Sequence, residues 1–447
     1  MTGAGGLFTT TAMSAVFSPR AHVAQMLRFE AALVRAAARA GIVPEAAATT
    51  IADACRVELY DVDDLHAQAA TSGTVAIPLV RALTERVSEP ARGWVHWGAT
   101  SQDAIDTALV LQMRDGLTLL RDDLRGLCAE AASLAERHRR TLMVGRTLLQ
   151  QALPITFGLK AARWLALAAR RLEALDALRA DALTLQFGGA AGTLASLGDR
   201  GLEVALHLAD ELGLPLPDLP WHAERDRTAT VAAALGITAG AMQKIAVDVV
   251  LLAQTEVGEA AEAASAGKGG SSAMPQKRNP VDAVASIAAS RLALALASAV
   301  MSGMAQEHER GSGGWQAEWA AIPELFGYTA GAVVRTRRAL DGLEVDVERM
   351  RVNLDGRGGA AMSESLAAAL ATRLGRSEAH ALVKSLGERA ARERRALGDV
   401  ALADARVRDV LSDAEVARAL DPARYLGSAD AFIDRALAAY RRAVSEP

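Results

Sequence analysis

Cysteine, aromatic residues and proline are all scarce in this chain. Of 447 residues only Cys55 and Cys128 are cysteines, so no disulfide framework is expected and a reducing, cytoplasmic setting is. Aromatics make up 4% of the chain, and the rest of its 51% hydrophobic share is rich in Ala and Leu, the strongest helix formers. Neither sign of charge dominates: a net charge of −4 argues against general affinity for nucleic acid. The N-terminus lacks a basic segment followed by an apolar core, so no signal peptide is expected. Charges interrupt the apolar stretches, so no membrane partner is expected either. The eight histidines are scattered and none falls in an HExxH spacing, which leaves metal chemistry without support. A GxSxG elbow and a Walker loop are also missing, which disfavours a serine hydrolase or a P-loop enzyme.

What is present is helix. The length exceeds one ordinary domain, so two or three are expected. Ser18-Pro19 opens a helix that Gly41 closes. Long helices are predicted over 101–139, 154–185, 228–264, 280–304 and 323–340, with shorter ones in the first hundred residues and after 357. Within the third, Ile245, Ala246, Val247, Val249, Val250, Leu251, Leu252 and Ala253 are interrupted only by Asp248, which is more than one apolar stripe. Such a rod needs burial on several sides. Association with further copies of the chain is the simple solution, and a large monomeric bundle is the alternative. Glycine clusters at 188–192, 267–270, 311–314 and 356–359 punctuate the helices, and no fixed-period repeat or strand-rich region is evident.

Four segments combine polar groups with loop-like sequence. The most informative runs from Gly267 to Pro280. Two hydroxyls, Ser271 and Ser272, sit among Lys268, Lys277 and Arg278 with no acid between Gly267 and Pro280. Asn279-Pro280 reads as an N-cap and first helical residue, and a helix N-terminus favours anions. The loop could hold a carboxylate while a serine works on the carbon beside it; a solvated Gly/Ser linker is the plainer alternative. In His96-Trp97-Gly98-Ala99-Thr100-Ser101-Gln102-Asp103, an imidazole and hydroxyls precede a long helix, although Ser101 as a simple cap and His96 as packing remain open. Gln186 to Thr193 offers small residues that let a ligand approach the backbone; no strand precedes it, so a dinucleotide is rejected. In Gln306-Glu307-His308-Glu309-Arg310, His308 and Arg310 could meet a carboxylate, or Glu309 and Arg310 could form a structural pair.

Taken together, these segments resemble the fumarase/aspartase superfamily. Gly270-Ser271-Ser272-Ala273-Met274-Pro275-Gln276-Lys277-Arg278-Asn279-Pro280 matches that family's GSSxMPxKxNP loop throughout. His96 to Asp103 is similar to its HxGxTSxD segment, Gly189 to Thr193 to its small-residue segment, and Gly145-Arg146-Thr147 begins its GRTH segment. The resemblance implies an all-α fold of three domains, 1–100, 101–345 and 346–447. It also implies a homotetramer whose long helices form a central bundle, with active sites assembled from three subunits and no cofactor. Family members make or break a bond β to a carboxylate. By position in the motif, Ser271 handles the α-proton, and Lys277 and Asn279 hold the carboxylate. The positions that fall to substrate binding are His96, Thr100, Ser101, Arg146, Thr147, Gly192, Thr193, Lys268, Met274, His308 and Arg310.

One departure narrows the reaction. The family's GRTH histidine assists a leaving amine or hydroxide, and here Leu148 stands in its place. Leucine donates no proton. A carboxylate, whose conjugate acid has a pKa near ~4, leaves or attacks already ionised. This resembles the branch of bacterial 3-carboxy-cis,cis-muconate cycloisomerases, in which a substrate carboxylate adds to the substrate's own double bond. Trp221-His222, Arg225-Asp226-Arg227 and Glu318-Trp319 are also similar to that branch. The expected substrate is therefore a small polycarboxylate. The alternatives are a C–N lyase of the same superfamily, of nitrosuccinate or adenylosuccinate type, and a non-catalytic oligomer that reuses the fold. Trp319, where adenylosuccinate lyases usually carry arginine, weakens the nucleotide version, and retention of Ser271, Lys277 and Asn279 weakens the non-catalytic one.

Overall fold

In the computed structural model the described residues are all-α apart from one hairpin, a short two-stranded pairing and an isolated bridge between Glu224 and Ala305. The structure describes residues 5–265, 268–270, 274 and 276–445. Ser271 and Ser272 lie outside the described residues. The chain divides into two compact units, and each of the five long helices lends a stretch to both.

One unit comprises Met1–Leu124, Arg171–Gln243 and Ala285–Val334. Its first long element, the Pro19–Arg39 helix, begins as expected: the Ser18 side chain accepts from Ala21 N, and Pro19 stands at the first helical position. Val23, Met26, Leu27 and Phe29 on that helix are fully buried. Gly331 marks the tightest backbone approach. A Cβ there would lie 1.9 Å from the Phe8 carbonyl oxygen, so only glycine lets the N-terminal segment cross the Gly314–Leu340 helix.

The other unit comprises Arg125–Arg170, Lys244–Val284 and Arg335–Pro447. Leu366, Leu370, Ala379, Leu382, Leu386 and Val400 form part of an aliphatic core among its C-terminal helices. Elsewhere in the unit Trp164 packs edge-on against Phe157 and donates its indole N–H to Asp248 at 2.7 Å.

Helix boundaries correct the sequence reading in three places. The Ser101–Arg137 helix matches closely. The next begins at Phe157, because Leu142–Thr147 and Gln150–Thr156 pair as an antiparallel hairpin. Its two-residue turn is Leu148-Leu149, with φ of 49° and 64°. Both angles are in the left-handed region that the tight hairpin turn demands, where Asn and Gly are the usual occupants. The Asp226–Ala253 helix ends eleven residues early. Gly258, at φ 59°, turns the chain back so that Glu259 N reaches Leu252 O at 2.9 Å. Ala260–Ala261 then pairs with Glu344–Val345. Lastly, Gly314–Leu340 is one helix with Pro323 in its interior rather than at its start.

A further correction concerns apolar length. The Asp226–Ala253 and Val281–Ser302 helices are long and apolar enough, by length and composition, to cross a membrane. The second carries only Asp282 and Arg291 as charges. The most apolar windows of the two are 56% and 33% buried within one chain. Ile237, Val247 and Leu251 on the first, and Val284, Leu292, Leu294 and Met301 on the second, remain exposed.

Candidate functional site

The first unit gathers three of the four segments around Asp103. This residue sits in the first turn of the Ser101–Arg137 helix and is fully buried. Its Oδ2 accepts the backbone N–H of Thr100 at 3.0 Å and of Gly189 at 2.9 Å. Its Oδ1 accepts Gly188 N at 3.0 Å and His222 Nε2 at 2.7 Å. A carboxylate three residues into a helix that takes the N–H of the capping residue is half of a capping box. The start of this helix therefore holds an anion of its own, and that anion also carries the glycine loop.

The loop is shaped to fit. A Cβ on Gly188 would lie 2.7 Å from Pro220 Cβ and 2.8 Å from His222 Cε1. Gly189 and Gly192 take φ of 70° and 80°. Arg310 ties the fourth segment in, donating from Nε to Gln102 Oε1 at 3.0 Å and from Nη2 to Ala190 O at 3.1 Å. Beneath it, Arg225 reaches both Asp106 and Glu318, and Trp315 Nε1 donates to Asp106 at 2.9 Å. Burial lifts the Glu318 carboxyl above its ordinary range, and Arg225 offsets that only in part.

His96 occupies a left-handed position, φ 57°, and its Nδ1 lies 2.6 Å from Glu30 Oε1. Burial opposes charge on this imidazole, yet Glu30 and Asp103 outweigh it and raise the pKa. Ser101 is half-buried at the helix start, whereas Thr193 and His308 are exposed.

The second unit holds the neck of the Gly267–Pro280 loop and the hairpin. Asn279 donates from its backbone N at 2.9 Å and from Nδ2 at 3.1 Å to Gly269 O, closing the neck. The helix itself starts at Val281, so Asn279-Pro280 is not its N-cap and first residue. The N-terminal N–H groups of Asp282 and Ala283 go to Glu262, at 3.2 and 2.8 Å. The expected anion socket is thus filled by the chain's own carboxylate. Lys268 Nζ sits 3.2 Å from Glu262 and 2.9 Å from Asp282. Burial alone would lower the Lys268 pKa, but these two acids raise it. Lys277, Met274 and Arg278 are exposed and line a cavity of about 770 Å³ with Lys268, Gly269 and Asn279.

Arg146 also has a partner within the chain. Its Nη1 and Nη2 meet Glu259 at 2.8 and 2.7 Å, and Asn353 Nδ2 reaches the same carboxylate at 2.8 Å. Thr147 is exposed at the hairpin end, and Leu148 beside it is 96% exposed in the single chain. Sequence reasoning did not single out Glu30, Asp106, Glu259 or Glu262, and it noted His222 only as part of a resemblance. For Asp103 a signal existed, namely its place three residues after Thr100; for the others each partner is remote in the chain.

The family model described as "Lyase" matches residues 7–292, and "Adenylosuccinate lyase C-terminus" matches 359–436. The chain belongs to this lyase family, within the fumarase/aspartase superfamily. The lyase is 50% identical over 443 residues to a 3-carboxy-cis,cis-muconate cycloisomerase of Pseudomonas aeruginosa, covering 98% of this chain and 96% of that one. It is 43% identical to a nitrosuccinate lyase of Streptomyces davaonensis, over 97% of this chain and 94% of the relative. Among solved structures, the 3-carboxy-cis,cis-muconate lactonizing enzyme of Pseudomonas putida matches with a TM-score of 0.93 and 43% identity, covering 99% of this chain and 100% of that one.

Proposed function

We propose that this lyase is a cofactor-independent cycloisomerase that lactonises 3-carboxy-cis,cis-muconate to a carboxymuconolactone. The observation that carries the reading is full-length likeness to proteins of that activity, at 50% identity in sequence and a TM-score of 0.93 in structure. Leu148 in place of a proton-donating histidine supports it from the chemistry. In the step envisaged, a substrate carboxylate oxygen bonds to the β-carbon of its own double bond. The π electrons move to the α-carbon and its carboxylate, and Ser271 delivers a proton to that carbon. Lys277 and Asn279 stabilise the charge as it develops. His96, Thr100, Ser101, Arg146, Thr147, Gly192, Thr193, Lys268, Met274, His308 and Arg310 make up the proposed binding set. Because Lys268 and Arg146 already face carboxylates, their part is to hold the local backbone in shape as much as to carry charge to substrate.

The oligomer in this proposal is a homotetramer in a cytoplasmic setting. It would use the apolar faces of the Asp226–Ala253 and Val281–Ser302 helices, which a single chain leaves open. Incubation with 3-carboxy-cis,cis-muconate should consume the dienoate ultraviolet absorbance. An unchanged spectrum with folded protein overturns the reading. The second reading, elimination of nitrite from nitrosuccinate, is favoured by the 43% identity to a nitrosuccinate lyase, and nitrite too departs as a weak base. Fumarate released from nitrosuccinate, with the muconate untouched, would select it.

A further inference from the structure

We propose that Glu30 is a positioning residue: it holds the His96 imidazole in its charged form, so that Nε2–H is presented to a substrate carboxylate. The proposal rests on the polycarboxylate reading of the site and adds to it a group that touches no substrate itself. Glu30 lies on the Pro19–Arg39 helix, and its side chain is 1% exposed. Its Oε1 is 2.6 Å from His96 Nδ1, and its Oε2 is buried without a hydrogen-bond partner. The imidazole is thus the side-chain donor that reaches this carboxylate among the described residues. A carboxylate only accepts, so Nδ1 carries the proton, and the short separation is that of a charge-assisted hydrogen bond.

The other ring nitrogen is open. The His96 side chain is 17% exposed and its Nδ1 is turned to a buried carboxylate, so the open edge of the ring is the one that carries Nε2. Nε2 makes no hydrogen bond within the described residues and is not among the side-chain atoms shut off from solvent. The left-handed backbone of His96 and the bond from Ala99 N to its carbonyl, at 3.3 Å, place it in the turn that leads to Thr100 and Ser101. Burial opposes charge on the ring, and two carboxylates overcome it. Glu30 acts through both its charge and its hydrogen bond, whereas Asp103, which also meets His222 at 2.7 Å, acts through its charge alone. On the far side of Glu30 lie Cys55 and Tyr60. Burial and then Glu30 push the Cys55 thiol up, and burial, ahead of Cys55 and Glu30, pushes Tyr60 up to about 12, so both stay neutral. The cations nearby are engaged elsewhere: Arg35 pairs with Glu211 at 3.9 Å, and Arg86 sits over the Tyr60 ring. The charge of Glu30 therefore falls to His96. Without it burial prevails and the ring is neutral at neutral pH.

Glu30→Gln keeps the shape and still accepts from Nδ1, so the neutral ring then turns a lone pair at Nε2 toward the incoming carboxylate. Glu30→Asp keeps the charge. Hydrogen exchange at the ring Cε1, read by mass spectrometry, follows the titration of His96 in the free protein. It should place His96 above the ordinary ~6.5 in wild type and below it in Glu30→Gln. Tricarballylate, an unreactive tricarboxylate, should bind wild type by calorimetry. At about pH 8 it should bind Glu30→Gln roughly tenfold more weakly, and that gap should narrow as the pH falls through ~6.5. KM for the muconate should show the same gap with kcat little changed, and Glu30→Asp should close most of it. Damage to the fold alone would leave a gap that does not narrow with pH. His96 titrating at or below ~6.5 in wild type overturns the proposal and needs no variant; so does a Glu30→Gln gap that is absent or equal at every pH. Wild type that leaves the muconate untouched but binds tricarballylate with this pH dependence overturns the proposed reaction and keeps the role of Glu30. Wild type that binds neither overturns both.

Discussion

Arg146 and Glu259 form a bidentate pair: both terminal guanidinium nitrogens meet the carboxylate, at 2.8 and 2.7 Å, and the Glu259 side chain is fully buried. The pair pins the hairpin end two residues before the Leu148 turn. A parallel two-pronged contact of this kind is the strong form of a charged hydrogen bond. Removing one partner strands the other charge in the interior.

Arg146→Met should therefore destabilise the protein by about 3–5 kcal/mol, measured by denaturant unfolding. Adding Glu259→Gln to that variant should return part of the loss, because the uncompensated charge is gone. A single Arg146→Met variant as stable as wild type would show that the pair contributes nothing to the fold.

Ser271→Ala should leave the oligomer and the melting curve unchanged and lower turnover of the muconate by orders of magnitude, since no other hydroxyl in the motif is assigned the α-proton. Retained turnover would remove Ser271 from the mechanism.

Asp282 sets the acid limb of stability. Burial favours its neutral form, but Arg335, with Nη1 2.8 Å from its carboxylate, and Lys268 reverse that and hold its pKa below the ordinary value. A carboxylate depressed in the folded state contributes stability that is complete above the unfolded pKa of ~3.9 and is lost as pH falls through the lower folded value. Stability should decline below about pH 4, and Asp282→Asn, already less stable at neutral pH, should show a flatter acid limb. Parallel acid profiles for the two proteins would contradict this.

The thiols should be inert. Burial pushes the Cys128 thiol up to about 12, and burial together with the charge of Glu30 pushes Cys55 up as well. The thiolate is the reactive form, so at pH 8 neither should react promptly with a disulfide reagent until the protein is unfolded. Two equivalents should appear only in denaturant. Prompt labelling of the native protein at either cysteine would show the opposite.

Much of the fold was legible because four of its five long helices are free of proline. The Ser101–Arg137 helix could be read almost to its last residue. The hairpin could not. Its turn is Leu148-Leu149 rather than Asn-Gly, so the usual turn residues are missing where the chain reverses. The end of the Asp226–Ala253 helix was hidden for a related reason, since Gly258 alone breaks a run whose composition stays helical. In the site, the glycine loop, His96 and Arg310 could be read as loop chemistry because each sits among turn residues. The long-range pairings could not. Arg146 and Glu259 are 113 positions apart and His222 and Asp103 are 119, and no local pattern records such a pairing.

The carboxylate of Glu262 at the head of the Val281–Ser302 helix bears on the choice of buffer. Phosphate and sulfate are drawn to bare helix starts. At this one they meet a place already taken, held on its other side by Lys268. Kinetic work in phosphate therefore need not contend with an inhibitor lodged at that helix.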